Sequence, residues 1–137
     1  MKKAIWLFAF LCYGIIFSQE GDPIDVPKIV VKIPLGETVR LDDVAITFVK
    51  VVEDSRCPKN VTCIWQGRII VQVAVKREGE LIQNKELLLG KTKHGEQETT
   101  IIYSTEDLLL NVVSVNPYPD IEDTGDRDYV LLVAVKR

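Results

Sequence analysis

The chain has 137 residues, a formal net charge of −3, 47% hydrophobic residues, three cysteines and one histidine. That length holds one domain with a single sizeable core. The small negative charge excludes the basic footprint of a nucleic-acid binder.

Residues 1–18 read as an export signal. Lys2 and Lys3 form a positive start, Ile5 to Phe17 run apolar around Gly14, and Ser18 is a small residue ahead of polar Gln19 and Glu20. The apolar run is shorter than the ~20 residues that a bilayer-spanning helix needs. Cys12 follows Phe10 and Leu11 inside the run, so it lacks the small-residue setting of a lipid-modified cysteine. The expectation is a periplasmic or secreted protein with no lipid anchor and no transmembrane helix in the mature chain. Without residues 1–18 the net charge becomes −5, the cysteines are Cys57 and Cys63, and Trp65 is the sole tryptophan.

Residues 19–27 carry Gly21, Asp22, Pro23, Asp25 and Pro27 and read as a tether. Residues 28–137 read as the domain. Short β-branched stretches divided by turn signals predict strands over Lys28–Ile33, Thr38–Leu41, Val44–Glu53, Thr62–Arg77, Glu80–Leu89, Glu98–Tyr103, Leu108–Val115 and Asp128–Lys136. Glu78-Gly79 predicts a tight hairpin. Ser104 to Leu110 is the one place where a short helix competes, because Ser104-Thr105-Glu106-Asp107 resembles an N-cap stretch.

The longest strand alternates with period two. Cys63, Trp65, Gly67, Ile69, Val71, Val73 and Val75 share one face, as do Tyr129, Leu131, Val133 and Val135 in the last strand. Seven or eight short strands with no long helical run predict an all-β antiparallel sandwich, immunoglobulin-like only in the loose sense. A small β-barrel is the alternative.

One motif is compact: Asp54-Ser55-Arg56-Cys57-Pro58-Lys59-Asn60-Val61-Thr62-Cys63-Ile64-Trp65-Gln66-Gly67. In an oxidising compartment two cysteines this close predict a disulfide. It would fix a loop shape more than stabilise the domain, since closing so short a loop contributes only about 2 kcal/mol. Pro58 and Asn60 suit the enclosed turn. Trp65 is expected to pack beneath the bridge as the largest single core contribution, with Gly67 leaving space for the indole or a bulge. Structural zinc needs about four ligands, and the mature chain offers two cysteines and His94. A redox pair would use C-x-x-C spacing at a helix start. Asn60-Val61-Thr62 also fits a glycosylation sequon, awkwardly placed in a tight loop.

The pattern D-S-R-C-P-x-x-V-x-C-x-W-x-G resembles the hallmark of a family of small exported bacterial proteins, some of them lipoproteins. In that family the hallmark follows a strand ending in apolar-Glu-Asp, matched here by Val51-Val52-Glu53-Asp54. A Pro-Tyr-Pro segment follows a leucine-rich strand, matched by Pro117-Tyr118-Pro119, and the last strand opens with a tyrosine, matched by Tyr129. The resemblance implies a secreted all-β domain and implies no activity.

Catalytic chemistry finds little support. A Ser-His-Asp triad would have to use His94, which sits in the solvated turn Lys91-Thr92-Lys93-His94-Gly95-Glu96. No phosphate-cradling glycine loop occurs, and no spacing singles out two carboxylates for glycoside chemistry. The expectation is no enzyme and no cofactor. Asp120, Glu122, Asp123, Asp126 and Asp128 could gather oxygens for calcium, although Arg127 interrupts them and a solvated acidic loop explains them as well.

Three functions follow. The foremost is an exported non-catalytic binding or structural domain with an envelope or extracellular protein as partner. Asp54, Ser55, Arg56, Pro58, Lys59 and Asn60 are its candidate recognition surface, with Arg56 able to pair a partner carboxylate or, more simply, Asp54. The others are an extracellular peptidase inhibitor using the 56–63 loop and a metal-binding or metal-handling envelope protein.

Overall fold

A computed structural model describes residues 29–122, 125 and 127–137. The expected signal and tether, and with them Lys28, lie outside the described residues.

Eight strands form two antiparallel sheets. They are β1 (Ile29–Pro34), β2 (Thr38–Leu41), β3 (Val44–Asp54), β4 (Arg68–Arg77), β5 (Glu80–Gly90), β6 (Ile101–Ser104), β7 (Leu109–Asn116) and β8 (Val130–Lys136). One sheet has the order β2-β3-β4-β5 and the other β1-β8-β7-β6. Each is a meander of sequential hairpins, except that β1 joins the far edge of β8. The sheets do not close into a barrel, so the sandwich expectation holds and the barrel alternative does not. Among the described residues no helix is long and apolar enough to cross a membrane.

The alternation of apolar side chains becomes the core. Ile69, Val71, Val73 and Val75 of β4 are buried, as are Leu131, Val133 and Val135 of β8. Phe48 of β3 is the largest fully buried side chain. Bulges adjust the period where strict alternation would fail. In β3 the register shifts between Phe48 and Lys50 and again between Val51 and Glu53. The extra residues, Val49 and Val52, stay exposed while Phe48 and Val51 both face inward. A third bulge, between Val112 and Ser114 of β7, exposes Val113 and turns Val115 into the core.

The structure departs from the sequence expectations at two strand starts, at Trp65 and at Gly67, and it decides against the competing helix. The strand predicted over Thr62–Arg77 begins only at Arg68, and the one predicted from Glu98 begins at Ile101. Ser104 to Leu110 forms no helix; Thr105 N donates to Leu108 O at 2.8 Å and Thr105 Oγ1 accepts from Leu108 N at 3.1 Å, which closes a turn. Trp65 is not a core residue. It is 72% exposed, because the chain has left the sheet before the last core layer at Ile69, and even spacing then has no inward meaning. Gly67 does not make room for an indole either. A Cβ there would lie 1.6 Å from the carbonyl oxygen of Ser55, so the glycine permits two backbones to cross.

Truncating the two large aromatics separates core from surface. Phe48→Ala is expected to lower stability by about 3–5 kcal/mol, and Trp65→Ala by less than about 1 kcal/mol, both read from urea unfolding.

Candidate functional site

The connections at one end of the sandwich are short hairpin turns. At the other end lie the β3–β4, β5–β6 and β7–β8 connections, and these meet. Their meeting point is set by adjacent acids at the end of β3. Glu53 pairs with outward-facing Ile70 and Asp54 with inward-facing Ile69. Period two thus sends one carboxylate to each side of the sheet, and each finds its own arginine.

On the inner side Arg56 makes a bidentate ion pair with Asp54. Nε donates to Oδ1 and Nη2 to Oδ2, both at 2.8 Å. Both side chains are 6% exposed. Arg56 Nη1 also donates to the carbonyl of Val115 at 2.6 Å and Nη2 to that of Pro117 at 2.9 Å. The Tyr118 ring centre lies 4.5 Å from its guanidinium carbon. The Asn116–Pro117 peptide is cis. Asp54 Oδ2 further accepts from the Tyr129 hydroxyl at 3.0 Å and from Arg127 Nη1 at 3.3 Å. Burial opposes ionisation of Asp54. The hydrogen bonds and charge of Arg56, with the Tyr129 hydroxyl, outweigh it and hold the carboxyl below its ordinary range. Burial pushes the Tyr129 phenol up, so it remains a donor at neutral pH.

On the outer side Arg68 spans two acids. Its Nε lies 3.0 Å and its Nη2 3.1 Å from the Glu53 carboxylate, and Nη1 lies 2.5 Å from Glu96. Hydrogen bonds from Arg68 and Ser55 lower the Glu53 pKa. Ser55 N donates to the Arg68 carbonyl at 2.9 Å, where the chain enters and leaves the loop over Gly67.

Above this base stands the loop itself. Cys57 and Cys63 form a disulfide with Cα atoms 6.0 Å apart. Lys59 N donates to the carbonyl of Pro119 at 2.9 Å, tying the loop to the neighbouring connection. Asn60 takes the left-handed conformation at φ 61°, the turn geometry its side chain tolerates. The far limb carries Ile64, 93% exposed, and Trp65. The Lys91 ammonium sits 4.8 Å from the indole centre.

The predicted recognition set therefore divides. Asp54 and Arg56 are buried and spent on each other, and Ser55 bonds Glu53 at 3.0 Å beside them. Lys59 and Asn60 are exposed on the loop, with Pro58 half-buried at its base. Sequence reasoning missed Val61, Ile64 and Lys91. Their signal was weak, since an apolar pair beside a cysteine reads as core. His94 is exposed on the β5–β6 connection. Asp123 and Asp126 of the acidic run lie outside the described residues, and among the described residues no three potential metal ligands cluster. The cleft under the loop, lined by Leu89, Glu98, Val113 and Tyr118 among others, holds about 250 Å³. Small-molecule sites usually enclose ~300–1,000 Å³; open clefts of about 350 and 540 Å³ lie beside Asp42 and Asp43 at the hairpin-turn end, and the loop is the candidate surface because of its exposed apolar side chains.

No protein family, curated protein or solved structure matches this chain. Asp54-Ser55-Arg56, Pro117-Tyr118-Pro119 and Tyr129 meet at one ion pair.

Arg56→Ala removes the bidentate partner of buried Asp54, leaving it Arg127 and the Tyr129 hydroxyl, and is expected to lower stability by about 3 kcal/mol in urea unfolding. Arg56→Lys recovers only part of this, because a single ammonium cannot serve the carboxylate and two carbonyls together. The pH dependence has a definite sign. The Asp54 pKa is depressed on folding, so its contribution is complete above the unfolded value of about 3.9 and fades as pH falls through the lower folded value. The stability gap between wild type and Asp54→Asn should therefore narrow below about pH 4. A gap independent of pH would contradict the assignment.

Proposed function

We propose that the protein is an exported, non-catalytic binding domain whose contact surface is the disulfide-braced loop 57–66. The observation that carries this reading is the exposure of Ile64 and Trp65, 93% and 72%, on a loop whose base is fixed. A disulfide, the Arg56 hub and the Lys59–Pro119 bond hold the platform, so presenting two large apolar side chains requires little ordering on contact. Side chains of this size contribute nothing to folding while they face solvent, and they gain most when a partner covers them. The signal-like start and the disulfide support export. Buried Arg56 is unavailable to enter a protease cleft, which leaves the inhibitor reading Lys59, Asn60, Val61 and Thr62 as the exposed side chains of that loop.

Immobilised residues 19–137, which contain every described strand and the core, should retain a component of the native envelope fraction. Ile64→Ser with Trp65→Ser should abolish that retention without changing the circular dichroism, and Cys57→Ser with Cys63→Ser should weaken it. Equal retention by the loop variant would overturn the reading.

A further inference from the structure

We infer that the Cys57–Cys63 bridge is a redox latch on the contact surface, opened by a dithiol of the C-x-x-C kind and closed by reoxidation while the domain beneath stays folded. The inference rests on the binding-domain reading and deepens it, since the limb that the latch controls carries Ile64 and Trp65.

The two limbs of the loop are held differently. The near limb is fixed without the bridge. Buried Arg56 donates to Asp54, Val115 and Pro117, and Lys59 N donates to the carbonyl of Pro119 at 2.9 Å. The far limb regains the base only at Gly67, where the backbones cross and Lys91 N donates to the Gly67 carbonyl at 3.4 Å. Before that point Thr62, Ile64, Trp65 and Gln66 are all exposed, and among the described residues they have no hydrogen bond or ion pair. The covalent tie of this stretch is the disulfide from Cys63 to Cys57, which the clasped Arg56 holds in place. The Lys91 ammonium, 4.8 Å from the indole centre, adds only an exposed cation–π contact, which is weak. The bridge therefore decides where Ile64 and Trp65 stand.

The bridge is also reachable, and the fold does not need it. Cys63 is exposed and Cys57 half-buried, and neither belongs to the core. Closing so short a loop restricts the unfolded chain little, so opening it leaves both sheets in place. Exposed bridges are the labile class, whereas structural ones resist reduction. The reaction is thiol–disulfide exchange. A thiolate of the dithiol attacks Cys63 Sγ at the exposed end, the Sγ–Sγ bond breaks, and Cys57 leaves as a thiolate that takes a proton from water. The second thiol of the dithiol then attacks the mixed disulfide, forms the reductant's own disulfide and releases Cys63 as a thiol. Two electrons and, in net, two protons pass from the dithiol to the bridge.

Trp65 is the only tryptophan in residues 19–137, so its fluorescence anisotropy reports the far limb directly. The probes are dithiothreitol and thioredoxin, applied to residues 19–137 without denaturant. Iodoacetamide should then label both cysteines while the circular dichroism stays β-rich. The anisotropy should fall to that of Cys57→Ser with Cys63→Ser, which itself ignores the reductant, and reoxidation should restore it. Thioredoxin deprived of its second cysteine should be trapped on Cys63. Retention of the envelope component should drop severalfold on reduction and return on reoxidation. A bridge that opens only in urea, loss of the β-sheet signal on reduction, an unmoved anisotropy or trapping on Cys57 would each overturn the inference. Equal retention of the envelope component in both redox states would overturn it too, yet leave the binding-domain reading standing. If nothing is retained in either state, the binding-domain reading falls and takes the latch's role in contact with it, while labelling and anisotropy still decide whether the bridge opens on a folded domain.

Discussion

The Asp54–Arg56 ion pair organises the functional end of the molecule. Two buried charges carry a desolvation penalty of several kcal/mol each, which attraction offsets only when the remaining donors are satisfied. Here they are, because Arg56 also donates to the carbonyls of Val115 and Pro117, and Asp54 also accepts from Tyr129 and Arg127. Three segments far apart in sequence are thereby fixed in one arrangement. Arg56 also occupies carbonyls at the end of β7, beyond the reach of the short strand β6, where an open edge would otherwise invite another strand.

The same end shows how a small domain separates rigidity from contact. Polar contacts, a crossing at Gly67 and one disulfide hold the base of the loop. The tip adds no core packing, so its side chains are free to be chosen for a partner. Elsewhere the sheet edges are guarded. On edge strand β5, half-buried Lys85 lies opposite inward-facing Val73, and Gln83 Nε2 donates to the carbonyl of Ile102 at 3.2 Å. Both place polar groups where a hydrophobic edge would aggregate.

Most of the fold was legible because a half-buried strand must alternate. The inner faces of β4 and β8 follow directly from the spacing of Ile69 to Val75 and of Leu131 to Val135, and the five-residue gap between Cys57 and Cys63 suffices for the bridge. The same rule misplaced Trp65, since periodicity cannot show where a strand ends. The close approach at Gly67 ends it, and that approach involves Ser55, which lies on the other limb of the loop. The bulges at Val49, Val52 and Val113 were hidden for a similar reason. Each shifts one strand against its neighbour, and neither strand alone carries the register.

By itself, then, the sequence determined the β class, the inward faces, the hairpin turns and the covalent loop, all consequences of local periodicity and short separations. Only the tertiary structure decided that Arg56 is an internal clasp, joined to residues some sixty positions away, and that Ile64 and Trp65 face outward. The physical reason is that burial belongs to position. An arginine beside a cysteine or a tryptophan beside a strand acquires its role only when the remote carbonyls and backbones that surround it, or fail to, are in place.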